Sequence, residues 1–61
     1  MIHTNHDKLE AIKRELGFRR RVYAQRVRDN RMTQALADYQ ISVFEAIEAD
    51  YEKLEEGERL L

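Results

Sequence analysis

Two stretches of helical apolar periodicity, opposite in charge and separated by one polar break, constrain this chain more than any other feature. Residues 1–31 hold nine of the eleven basic side chains and four of the twelve acidic ones, a net of +5. Residues 32–61 hold two basic and eight acidic side chains, a net of −6. The overall charge of −1 hides that split. A basic helix followed by an acidic one is suited to fold back on itself or on a copy of itself. Proline is absent and glycine occurs only at Gly17 and Gly57, so few breakers oppose helix. Sixty-one residues make one domain at most. The predicted fold class is all-α: an antiparallel helical hairpin with coiled-coil character, expected to homodimerise into a four-helix bundle.

The first helix is predicted over about 5–29, the turn over about 30–33 and the second helix over about 34–56. Thr4, followed three residues later by Asp7, resembles a capping box with Asp in place of Glu or Gln. Leu9, Ile12, Leu16, Tyr23 and Val27 then share one stripe at about 100° per residue. Arg20 interrupts it, with a stem able to cover the core while the guanidinium reaches out. A second, smaller stripe of Ala11, Phe18 and Val22 lies nearly opposite. Gly17 sits mid-helix, at a cost of about 1 kcal/mol against alanine. It is either tolerated or marks the close approach of another helix. Asn30 suits the left-handed conformation that ends helices, and Thr33 suits the N-cap of the next one.

In the second helix Leu36, Val43, Ile47 and Leu54 form the central stripe, with Gln40 completing it. Tyr39 and Ala46 widen it on one side, and Ala37, Ile41, Phe44 and Tyr51 on the other. Asp38, Glu45, Glu48, Glu52, Glu55 and Glu56 mark the solvent face. Gly57 is predicted to stop the helix as its C′ residue, with Leu60 or Leu61 folding back. The apolar arc exceeds half the circumference, more than one partner helix can cover. A two-fold dimer supplies the missing surface. The dimer and core positions are therefore Leu9, Ile12, Leu16, Tyr23, Val27, Leu36, Val43, Phe44, Ile47, Tyr51 and Leu54.

Little in the chain points to catalysis. There is no cysteine, hence no thiolate metal site or disulfide framework. His3, His6 and Asp7 could approach a metal, but a structural zinc site needs four placed ligands. Glu48 and Glu52 lie at i, i+4, the pattern of a solvated face rather than of a dry acid–base pair. The one serine, Ser42, has no histidine on its helix. No enzymatic activity, cofactor or metal is expected. No uncharged run exceeds six residues, Tyr39 to Phe44 among them, far short of the roughly 20 apolar residues that cross a bilayer. The first residues lack the basic and apolar regions of a secretion signal. A cytoplasmic location and no membrane partner are expected.

The arginines are the most suggestive cluster. Arg14, Arg21 and Arg28 recur every seven residues and form a stripe along the first helix. Three roles stay open for it: pairing with the acidic second helix, binding a protein partner, or tracking a phosphate backbone. The sequence pI near 6.1 is low for nucleic-acid binding. An apolar patch rimmed by arginine has the composition of an interface hot spot. Arg14, Phe18, Arg21, Val22 and Arg28 are therefore the candidate partner-binding surface. The Ala11, Phe18 and Val22 stripe could equally be a second seam of the homodimer.

The residues Arg21-Val22-Tyr23, Val27, Arg31-Met32-Thr33-Gln34, Ala37-Asp38, Phe44-Glu45-Ala46-Ile47 and Asp50-Tyr51 resemble short helical proteins encoded by bacteriophages and prophages. The resemblance covers roughly 9–54, with Asn30 where such chains carry a turn glycine. It implies a bacterial or phage cytoplasm and no catalytic residues. It also implies a host protein as partner, bound and disabled or modulated.

Overall fold

Local chemistry starts the first helix where Thr4 can cap it. The Thr4 hydroxyl accepts from the Asp7 amide at 3.1 Å, and the Asp7 carboxylate accepts from the Thr4 amide at 3.3 Å. This reciprocal pair satisfies two of the donors that a helix start leaves orphaned. The computed structural model describes residues 2–59, the side chain of Arg59 excepted. Helix α1 spans Asn5–Arg28 and helix α2 spans Gln34–Arg59.

The turn between them is built from backbone. Asn30 takes φ 59°, the left-handed region that asparagine tolerates. That geometry lets the Asn30 amide donate to the Val27 carbonyl at 3.1 Å and the Arg31 amide to Arg26 at 2.8 Å. The pair is a Schellman closure on a non-glycine residue. Thr33 then caps α2, its hydroxyl accepting from the Leu36 amide at 3.1 Å.

The helices run antiparallel. Asn5 Nδ2 donates to Glu58 at 2.6 Å, His6 Nδ1 lies 2.7 Å from Glu55, and Arg20 donates to Glu45 at 3.0 Å. Acidic side chains crowd the last turns of α2, the negative end of its own dipole. The antiparallel register sets them beside the positive start of α1, which offsets that misplacement. Leu9, Leu16 and Tyr23 of α1 and Ala37 of α2 are buried, and Ile12, Val27, Ile41, Phe44, Ile47 and Tyr51 are half-buried. Two cations cover the seam's rim. The Arg19 guanidinium lies 4.4 Å from the Phe44 ring centre, and the Lys8 ammonium 5.9 Å from that of Tyr51.

Helix α2 is rotated from its expected setting. Its seam face centres on Ala37, Ile41, Phe44, Glu48 and Tyr51. Leu36, Val43 and Leu54, expected in the central stripe, are exposed in the single chain. Two causes act together. The short turn fixes which face of α2 meets α1, and a small side chain, Ala37, occupies the crowded end beside it. The cation-covered aromatics then hold that rotation along the seam. Glu48 and Glu55 consequently leave the solvent face and sit half-buried at its edge.

Gly57 does not stop α2. No glycine has positive φ, and the helix continues through Gly57 to Arg59. The tie from Asn5 to Glu58 stabilises that extra turn. The expected fold-back of Leu60 or Leu61 lies outside the described residues. At Gly17 an added Cβ would meet nothing within 4 Å, so α2 makes no close approach there. Gly17→Ala should therefore stabilise the chain by about 1 kcal/mol, read as a higher urea midpoint at unchanged slope. A destabilised variant would reveal a further helix against that spot.

The result is a slab. Its extents are 48 × 20 × 14 Å, and a helix with side chains is about 10–12 Å across. The radius of gyration is 14.2 Å, against about 10.5 Å for a compact domain of this length. One layer of helix leaves both broad faces of the hairpin in water. No described helix is long and apolar enough to cross a membrane.

Candidate interaction faces

The rotation of α1 sorts its arginines into two groups. Arg19 and Arg20 flank the seam. Arg19 donates to Glu15 and to the Tyr23 hydroxyl, both at 2.7 Å. The Tyr23 hydrogen bond and then Glu15 push its already high pKa further up, so its charge is fixed. Arg20 reaches Glu45, as its interruption of the stripe suggested. Arg19 belongs to the arginine-rich segment Arg19-Arg20-Arg21 visible in the sequence, but its place at the seam was not foreseen. Its signal lay in the i, i+4 spacings to Glu15 and Tyr23.

Arg14, Arg21 and Arg28 belong to the other group. All three are exposed on the side of α1 turned away from α2. Among the described residues none of them makes an ion pair or a hydrogen bond to a side chain. Distance explains this, because the acidic flank of α2 lies across the seam. Between these cations and the seam lie Phe18, which is 54% exposed, and half-buried Val22. A shallow depression lined by His3, Asp7, Lys8, Ala11 and Arg14 extends the face toward the start of α1. The structure therefore brings Arg14, Phe18, Arg21, Val22 and Arg28 onto one side of one helix, an apolar line beside a cationic one.

A second face lies on α2. Leu36, Tyr39, Val43 and Leu54 are 47%, 64%, 40% and 51% exposed. At about 100° per residue they fall within an arc of roughly 60°. The acids Asp38, Glu45, Glu52 and Glu56 occupy the opposite flank. The outside of α2 is thus greasy on one side and anionic on the other.

The histidines mark the open end of the hairpin. His3 approaches Asp7 at 3.8 Å, while His6 is engaged by Glu55. The Glu55 hydrogen bond, then the charges of Glu55, Glu10 and Asp7, raise the His6 pKa above 6.5. Lys13, Glu52 and Glu56 share the depression beside it. A raised folded-state pKa gives stability that is complete below 6.5 and lost as pH climbs through the folded value. Stability should therefore fall as pH rises above 6.5. His6→Gln should flatten that fall in parallel denaturant titrations. An unchanged slope in the variant would place the titration elsewhere.

Compared with protein-family models, with curated proteins and with solved structures, the chain matches none.

Proposed function

We propose that this chain is a small non-enzymatic interaction protein. It homodimerises into a four-helix bundle and displays the outer face of α1 to a protein partner, which it modulates or inhibits. One observation carries the reading: Phe18 stands exposed beside Arg14, Arg21 and Arg28, for which the described residues show no side-chain ion pair. Arginines left unpaired beside a half-wet aromatic suit an acidic, partly apolar protein surface. The likeness to short phage and prophage proteins supports a bacterial host protein as that partner and a cytoplasmic setting. The dimer is supported by the slab shape and by the apolar flank that α2 leaves in water.

The test is comparative capture. Wild-type chain and Arg21→Glu chain, each immobilised, are exposed to the same bacterial lysate. A protein retained by wild type, lost by Arg21→Glu and bound again as a purified component supports the reading. Identical retention by both overturns it.

A second reading, nucleic-acid binding, is favoured by the same three exposed arginines, spaced about 10.5 Å apart along the helix. Anisotropy of labelled single- and double-stranded oligonucleotides over a salt series separates the two. Phosphate contact predicts a steep log–log salt slope, lowered by roughly one for each arginine removed. No binding at low salt eliminates it.

A further inference from the structure

We infer that the exposed flank of α2 is the seat of a second copy of this chain, packed α2 against α2, antiparallel, about a two-fold axis beside Val43 and Ala46. This rests on the dimeric reading above and names its interface.

Area is the first argument. The chain exposes 4970 Å². A compact monomer of 7.3 kDa exposes about 4,200 Å². The surplus, close to 800 Å², is what each partner contributes to an interface of standard size. The largest described block of exposed apolar side chains that could supply it is on α2: Leu36, Tyr39, Val43 and Leu54. Phe18 stands on the other helix, among cations that a second copy would have to match with acids.

The composition of the flank is the second argument. Ala35, Ser42, Ala46 and Ala49 lie beside the large residues, and small side chains permit close approach of two helices. Ser42 directs its hydroxyl to the Tyr39 carbonyl at 2.7 Å, so it presents no unsatisfied group to a dry interface. The flank thus sets a row of small side chains beside a row of large ones over five turns, so the large row of one copy can seat against the small row of the other.

Charge sets the direction. The flank carries only two charged residues, Asp50 and Lys53, both in its second half. A parallel pairing would stack Asp50 on Asp50 and Lys53 on Lys53. An antiparallel pairing centred on the apolar run instead sets Asp50 opposite Tyr39 of the second copy. The phenol can donate to that carboxylate. Lys53 then falls opposite Leu36, where its stem covers apolar surface. The acidic flank of α2 and the arginine stripe of α1 both stay outside the seam, so the arrangement leaves the partner face open.

The chain has no cysteine, so single introduced thiols report the geometry cleanly. Val43→Cys, Leu54→Cys and Phe18→Cys are oxidised under mild conditions, and wild type is sedimented at tens of micromolar. Antiparallel packing places the two copies of position 43 near the axis. It places the two copies of position 54 about 28 Å apart along it. A dimeric wild type with covalent dimer from Val43→Cys alone is the expected result. A dimeric wild type that cross-links through Phe18→Cys and not Val43→Cys overturns the interface while dimerisation survives. Cross-linking through both Val43→Cys and Leu54→Cys overturns the antiparallel direction. A dimer that cross-links through none of the three overturns the assignment to this flank. A monomeric wild type overturns this inference and the dimeric reading together.

Discussion

Leu16→Ala is expected to unfold most of the protein. Leu16 is 1% exposed and is the most fully buried large side chain described. Truncating such a leucine removes its transfer energy and leaves a cavity, about 3–5 kcal/mol together. A domain of this length holds on the order of 3–9 kcal/mol in total. The loss therefore equals most of what is present, and a one-layer slab has few neighbours that can collapse into the gap. Far-ultraviolet circular dichroism at low micromolar concentration should show most helical signal lost. Ile2→Ala, at a side chain 97% exposed, is the matched control and should leave the signal intact. Retained helicity in Leu16→Ala would mean that the core lies somewhere other than the α1–α2 seam.

Phe18→Asp is expected to have the second largest effect, on binding instead of folding. The side chain projects from the outer face of α1 with half its surface in water, so an aspartate there removes far less packing than a substitution at the α1–α2 seam. A buried aromatic anchor at the centre of an interface contributes about 2–4 kcal/mol. That converts to a loss of roughly 30- to 1,000-fold in affinity for the captured partner. The new carboxylate also sits among Arg14, Arg21 and Val22, weakening the positive field that steers an acidic partner. Titration calorimetry with wild type and variant measures the ratio, and circular dichroism verifies the fold. Equal affinities would remove this face from the binding surface.

The parts legible from sequence were those fixed within one or two turns of chain. The Thr4–Asp7 cap, the left-handed Asn30 and the Thr33 cap each rest on hydrogen bonds that span three to five residues. The rotation of α2 was not legible in that way. Its apolar arc covers more than half a turn, so periodicity leaves several faces equally eligible. The choice among them comes from the span of the turn, from Ala37 at its mouth and from cations on α1 that lie over Phe44 and Tyr51. Gly57 misled because a glycine near a helix end usually signals a stop, whereas here the helix runs on and Glu58 meets Asn5, over fifty positions earlier. The arginine stripe was visible from its seven-residue repeat. That it faces away from the acids of α2 needed the three-dimensional register.

The two ends of the hairpin are fastened by unlike means. At the turn, main-chain amides of 30 and 31 close on carbonyls of 27 and 26. At the far end the fastening is by side chains, Asn5 to Glu58 and His6 to Glu55, within reach of water. Separation of the rods accordingly begins at the far end and travels toward the bend, like a clothes peg opening at its jaws. Deuterium uptake along the backbone should follow the same gradient, quickest at the tip and slowest beside the bend.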